Sequence, residues 1–143
     1  MFLGEYQHSL DAKGRVILPV KYRARLAEGC VITPGQEHCL YVYPREEWDR
    51  VSGQLMESRT SSVKARTFTR FWFSGSSEEV PDKQGRVHIP ETLRSYAGLD
   101  RDVSINGVGN RIEIWDRQRW DQEKSVGEQQ YADLGESDPE LQF

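Results

Sequence analysis

Hydrophobic and polar positions alternate just after Gly14 and again just after Gly85. In the first stretch Val16 and Leu18 fall on one side, with Arg15 and Ile17 on the other; in the second, Val87 and Ile89 oppose Arg86 and His88. A period of two is that of a strand, whose successive side chains point to opposite faces. Each stretch therefore predicts a short strand with Val16, Leu18, Val87 and Ile89 turned to the core. Ahead of each strand, Asp11 or Asp82 suits the start of a tight turn, and Gly14 or Gly85 supplies its positive-φ position. After each strand, Pro19 or Pro90 ends it and suits the first position of a helix. The outcome is an arginine held outward beside a tight turn, twice.

The rest of the chain fills in around these two points. Met1 to Leu10, with Phe2, Leu3 and Tyr6, reads as a strand entering the first turn. Val20 to Glu28 has helical spacing, with Val20, Ala24 and Ala27 on one side, Tyr22 and Leu26 nearby, and Gly29 able to cap its end. Cys30–Thr33 and Leu40–Tyr43 are short strands separated by a turn that begins at Pro34-Gly35, which predicts a hairpin. Pro44 opens a helix with Glu46 and Glu47 where the dipole favours carboxylates, and Trp48, Val51 and Leu55 form its packing side. The polar stretch Glu57 to Ser62 breaks that helix. Another, Val63 to Phe73, carries Ala65, Phe68 and Trp72 on one face and Arg66 and Arg70 on another. Its Phe71-Trp72-Phe73 end is either a base-stacking platform or, as such clusters more often are, core.

The second half repeats the first. Asp11-Ala12-Lys13-Gly14-Arg15-Val16-Ile17-Leu18-Pro19 returns 71 positions later as Asp82-Lys83-Gln84-Gly85-Arg86-Val87-His88-Ile89-Pro90, with five identities. Glu78–Pro81 is the second entering strand, Pro90–Ala97 the second short helix with Gly98 as its cap, and Asp102–Asn106 and Arg111–Trp115 the second hairpin. Beyond the motif the offset becomes 72, pairing Leu40 with Ile112, Val42 with Ile114 and Trp48 with Trp120. A helix from about Asp116 closes the series, and the polar, acidic chain past Gly127 is expected to fray. Two such halves, each small for independent folding, suggest a mixed β-barrel with short helices and pseudo-twofold symmetry; two separate small domains are the alternative. The expected division is 1–56, a connecting helix at 57–75, 76–126, and a flexible acidic tail at 127–143.

Composition changes this picture in one respect. The net charge of −4 argues against a nucleic-acid partner, but eight acids and only three bases lie between Asp116 and Phe143. Residues 1–115 hold fifteen acids and sixteen bases, and Lys13–Arg25 carries Lys13, Arg15, Lys21, Arg23 and Arg25 with no acid. A local basic footprint is thus hidden by an acidic tail. No apolar run approaches membrane-spanning length and no basic segment followed by an apolar core opens the chain, so a cytosolic location is expected. Cys30 and Cys39 lack a C-x-x-C spacing and read as reduced, packed thiols.

The paired D-x-K-G-R-V-x-L-P and D-x-x-G-R-V-x-I-P motifs, the opening Met1-Phe2-Leu3-Gly4-Glu5-Tyr6 and the strand Leu40-Tyr41-Val42-Tyr43-Pro44 resemble the MraZ family from Met1 to about Trp120. These are bacterial transcriptional regulators with two AbrB-like (SpoVT-AbrB) modules. The resemblance implies a swapped-hairpin, double-split β-barrel and assembly into rings. It implies binding of short direct repeats upstream of the division and cell-wall gene cluster, usually repressing that cluster and the regulator's own gene. It also implies a nucleoid-associated protein with no cofactor and no small-molecule substrate. The family's DNA-contacting D-x-x-x-R motif falls on Asp11…Arg15 and Asp82…Arg86. The second copy departs from the first: Gln84 stands where Lys13 does, and Lys83 lies one place earlier, where a side chain points differently. Together with the missing counterparts of Lys21 and Arg25, this predicts a weaker second reader.

Other chemistry finds no candidates. His8, His38 and His88 have no ligand spacing to one another or to the cysteines, and no nucleophile motif or phosphate-binding glycine loop occurs. An enzyme is not expected. Two readings remain. In the first, Arg15 reads a base edge, Asp11 orients Arg15 and caps the turn, Lys13, Lys21, Arg23 and Arg25 meet phosphates, and Asp82, Lys83 and Arg86 form the second DNA-binding motif. In the second, a ring-forming interaction protein offers its basic surface to an acidic protein. A purely structural turn with a solvated arginine stands beside both.

Overall fold

The computed structural model describes residues 1–57 and 62–141. Strand β1 (Glu5–Ser9) enters the first turn, which delivers β2 (Arg15–Ile17); helix α1 (Val20–Leu26), the hairpin β3 (Cys30–Pro34) and β4 (Leu40–Pro44), and helix α2 (Arg45–Glu57) follow. Helix α3 (Val63–Gly75) begins at Ser62, whose hydroxyl accepts a hydrogen bond from the Ala65 N–H. Most of the polar break expected at Glu57 to Ser62 lies outside the described residues. The second half then runs β5 (Ser77–Glu79), β6 (Arg86–His88), α4 (Glu91–Tyr96), the hairpin β7 (Asp102–Gly107) and β8 (Ile112–Asp116), and α5 (Arg117–Ser137). Pro19 and Pro90 sit one place earlier than expected, as N-caps with φ of −52° and −56°.

Six strands form one sheet in the order β1-β7-β8-β4-β3-β5, and β2 pairs with β6 in a separate two-stranded ribbon. Every one of these pairings is antiparallel. Exchanging the halves turns β1 into β5, β3 into β7 and β4 into β8, which reverses the strand order onto itself. The pseudo-twofold axis passes through two facing pairs of equivalent residues, Tyr41↔Glu113 in the sheet and Val16↔Val87 in the ribbon. The halves are also exchanged at the sheet edges. β1 pairs with β7 of the second half, and β5 pairs with β3 of the first.

The two AbrB-like halves are therefore present, but as an open antiparallel sheet with a ribbon laid over it, not a closed mixed barrel. A barrel closes only when its edge strands pair. Here β1 and β5 stand at opposite ends of the sheet, and the three residues of β5 pair only with Cys30–Ile32.

Both faces of the sheet are covered, which is why β3 and β4 are buried throughout instead of alternating. On one face Ile32, Leu40, Val42, Ile105, Ile112 and Ile114 meet Val16, Leu18, Val87 and Ile89 of the ribbon region, closed by Tyr22 and Leu26 of α1 and Leu93 of α4. The α1 face is not the expected one: Tyr22 and Leu26 are buried, whereas Val20, Ala24 and Ala27 are exposed. The large ring decides it. Tyr22 makes edge contacts with Phe2 and Tyr6 at 5.2 and 5.4 Å and donates its hydroxyl to the Leu3 carbonyl at 2.5 Å.

On the opposite face Tyr41, Tyr43 and Trp115 pack under α2, α3 and the start of α5. Trp72 of α3 stacks on Trp48 of α2 at 5.3 Å and is 8% exposed. The core reading thus holds for Trp72 and for half-buried Phe73, but not for Phe71, which is 49% exposed. Helix α5 starts at the expected place, capped by Asp116, and runs past Gly127 to Ser137 as regular helix. Cys30 and Cys39 are unbridged, and burial pushes both thiols up to about 12.

Candidate nucleic-acid interface

Each D-x-x-G-R turn is a closed hydrogen-bond unit. The Gly14 N–H donates to the Asp11 carbonyl at 3.0 Å, and the Asp11 N–H donates to the Arg15 carbonyl at 2.9 Å. Oδ1 of Asp11 accepts from the N–H groups of Lys13 and Arg15, both at 2.9 Å. Its Oδ2 accepts from Arg15 Nε at 2.8 Å. The second turn repeats all of this. Oδ1 of Asp82 takes the N–H groups of Gln84 and Arg86 at 3.0 and 2.9 Å, and Oδ2 takes Arg86 Nε at 2.7 Å.

The aspartate has two jobs here. It satisfies the backbone of a turn too short to satisfy itself, and it fixes the arginine through Nε. These bonds, first the backbone N–H of the arginine and then its side chain, hold both carboxyls below the usual aspartate range. With Nε engaged, the Nη groups of each guanidinium make no hydrogen bond or ion pair among the described residues, and the two side chains are 27% and 32% exposed.

The ribbon joins the two clasps into one surface. Arg15 faces His88 across it, Val16 faces Val87, and Ile17 faces Arg86. The valines point inward and are buried, so Arg15, Ile17, Arg86 and His88 share the outer face. The two arginines stand diagonally, roughly 8 Å apart at Cα from strand dimensions. Reciprocal bonds lock the arrangement: the Leu18 N–H donates to the Gly85 carbonyl at 2.8 Å and the Ile89 N–H to the Gly14 carbonyl at 2.9 Å.

Two further arginines brace the turns, and they do so crosswise. Arg23 Nε donates to the Leu18 carbonyl and Arg94 Nε to the Ile89 carbonyl, both at 2.9 Å. The Arg23 guanidinium lies against Gly85 of the second turn, where an added Cβ would stand 2.4 Å from Nε; Arg94 lies against Gly14 of the first, 2.8 Å from its Cζ. Glycine is thus needed twice over at these places, for φ of +76° and +80° and for the close approach.

Of the residues expected at the site, Asp11, Lys13, Arg15, Asp82, Lys83 and Arg86 come together on the twin turns. Arg23 joins them, but at the second turn. Lys21 and Arg25, four apart on α1, lie on the other flank of its buried Tyr22–Leu26 stripe from Arg23. Arg25 sits over the Phe2 ring at 4.9 Å and reaches Glu46 at 3.5 Å, away from both turns. The β2–β6 pairing thus sets the two braces crosswise, Arg23 at the second turn and Arg94 at the first, and each turn keeps one. Arg94, Ile17 and His88 were not named as site residues, although Arg94 lies 71 places after Arg23 and carried the clue. Burial, with the Arg23 charge beside it, lowers the His8 pKa, so His8 adds no charge here at neutral pH. Among the described residues no three His, Cys, Asp or Glu side chains gather as a metal site, and no helix is long and apolar enough to cross a membrane.

Comparison with known proteins accords with this repeated architecture. The MraZ family model matches the chain twice, over residues 1–71 and 72–133. The chain is 57% identical over 122 residues, 85% of each chain, to a protein of Kocuria rhizophila named transcriptional regulator MraZ. It is 47% identical over 139 residues to one so named from Arthrobacter sp. (strain FB24), covering 97% of this chain and 98% of the other. A third, from Halothermothrix orenii, is 46% identical over 134 residues and 94% of each chain.

Proposed function

The chain belongs to the MraZ family, and on that premise we propose that it is a sequence-specific DNA-binding regulator whose β2–β6 ribbon enters the major groove. The family is one of transcriptional regulators, not of enzymes. The observation that carries the proposal is the pair of identical clasps on one ribbon face. A two-stranded ribbon fits the major groove, and a guanidinium presenting two parallel N–H groups matches O6 and N7 of guanine, each such contact contributing ~1–3 kcal/mol of discrimination. Asp11 and Asp82 hold those guanidiniums ready, which lowers the entropy lost on binding. Lys13 and Lys83 at the turn tips, the Nη groups of Arg23, and Lys21 and Arg25 on the flank of α1 neutralise phosphates and set register.

The family resemblance and the symmetry support a finer reading. The regulator acts as a repressor of the division and cell-wall gene cluster and of its own promoter, in the cytoplasm at the nucleoid. One chain already satisfies its own pseudo-twofold, so contacts between chains are head-to-tail and close into a ring. Subunits in such a ring share one orientation and read direct repeats spaced about one helical turn, ~10–10.5 bp.

Selection from a random duplex library, followed by a salt titration of the selected site, tests the main claim. The expected result is a discrete motif whose affinity falls steeply with salt. Binding no better than to a scrambled duplex, with equal capture by a polyanionic protein, would instead favour the acidic-partner reading. Inserting five base pairs between boxes should weaken binding more than inserting ten; equal affinities contradict the ring on direct repeats.

A further inference from the structure

The pseudo-twofold that relates the two clasps would, by itself, make one chain read a palindromic core. The outer face of the ribbon breaks that symmetry at one pair of equivalent positions. Residue 17 is isoleucine and its counterpart, 71 places later, is His88. Arg15 consequently has an imidazole across the ribbon, and Arg86 has an aliphatic side chain.

These neighbours stand close enough to share the arginines' contacts. The bonds at 14/89 and 18/85 mark the hydrogen-bonded places of the ladder, so 15/88 and 17/86 fall at the alternate places, where facing side chains are closest, with Cα atoms ~4.5 Å apart. Ile17 is 43% exposed, and its inward neighbours Val16 and Leu18 complete the core without it. His88 is exposed too. Packing explains neither outward side chain.

We infer that Ile17 and His88 determine sequence specificity and make the core read by one chain asymmetric: Arg86 with Ile17 reads a guanine beside a thymine methyl, and Arg15 with His88 reads a guanine beside a hydrogen-bonding purine edge. The inference rests on the proposed DNA reading and deepens it. The chemistry is that of the major groove, where the thymine methyl is the one apolar feature and an imidazole finds N7 acceptors. Removing a buried methyl contact corresponds to a three- to fivefold change, from the roughly 0.8 kcal/mol of one carbon group. The turns add a second asymmetry, Lys13 against Gln84 and Lys83 against Ala12, at the turn tips assigned above to phosphates.

The test is a set of parallel selections on a random duplex library with the full-length chain, its Ile17→His variant and its His88→Ile variant, each checked for native circular dichroism. The wild type is expected to select a non-palindromic core. Ile17→His should make the core palindromic without the thymine, and His88→Ile should make it palindromic with a thymine on both sides. Replacing that thymine by deoxyuridine in the wild-type site should weaken binding of the wild type three- to fivefold, and should leave binding of that same site by the Ile17→His variant unchanged. A palindromic wild-type core, or variants that select the wild-type core unchanged, overturns the inference while leaving the DNA reading in place. A wild type that selects no motif overturns both.

Discussion

Removing the Arg23 side chain should disturb the turn that is distant in sequence, not the one beside it. In Arg23→Ala the Nε bond to the Leu18 carbonyl is lost, together with the guanidinium that lies on Gly85. An orphaned backbone acceptor costs ~1–3 kcal/mol when buried. Arg23 is only half-buried, so water replaces part of the bond and the lower half of that range, ~1–2 kcal/mol, is the reasonable figure. For a chain of this size that corresponds to a fall in Tm of roughly 3–8 °C. The more telling readout is its location. In 1H–15N spectra the largest shifts should fall on the amides of Gln84, Gly85 and Arg86, with those of Lys13, Gly14 and Arg15 much less affected. Arg94→Ala should give the mirror image. If Arg23→Ala instead perturbs mainly Lys13–Arg15, the crosswise bracing is wrong and the positive charge follows the sequence after all.

Three other outcomes follow from the clasps. Asp11→Asn keeps an acceptor for the two backbone N–H groups but sets an NH2 against Arg15 Nε; the fold should persist while preference for the selected duplex over a scrambled one drops several-fold by fluorescence anisotropy, and an unchanged preference would show that orientation of the arginine is irrelevant. Both clasp carboxyls titrate below the ordinary aspartate range, so their contribution is present above the unfolded pKa and is lost only as pH falls through the depressed folded value; carbon-13 NMR midpoints at or above that of a free aspartate contradict the bonding described. Gly85→Ala should lower Tm more than Gly98→Ala, since both have positive φ but only Gly85 has a guanidinium in the way of a methyl; equal losses would leave strain as the whole effect.

Much of this was legible because it is local. Alternation placed Val16, Leu18, Val87 and Ile89 inward, the Asp and Gly spacing gave the turn, and the repeat announced two related halves. What stayed hidden depends on partners that no local pattern encodes. The residues of β2 say that a strand exists but not that it pairs with β6, and from that pairing, which sets Leu18 against Gly85 and Ile89 against Gly14, follows the crosswise placing of Arg23 and Arg94. The α1 face was misread because small apolar residues were counted equally with Tyr22, whose ring buries far more surface. The sheet is open because its edge strands β1 and β5 stand at opposite ends and do not pair with each other, which no local pattern tells. The chain past Gly127 reads as fraying because it is polar and acidic, yet a single glycine in a helix costs only ~1 kcal/mol, and α5 continues through it.

The central claim is that the two clasped arginines on the ribbon read DNA sequence, and one competition assay addresses it most directly. Affinities for the library-selected duplex and for a scrambled duplex of equal length are measured at one fixed salt concentration, for the wild type, Arg15→Ala, Arg86→Ala and the double variant. Because the two clasps hold their arginines by the same bonds, the two single variants should lose similar amounts. The double variant gives up two contacts of ~1–3 kcal/mol each, so its preference for the selected duplex should fall by at least roughly 30-fold, with folding unchanged by circular dichroism. A folded double variant that keeps the wild-type preference within twofold would contradict the claim outright.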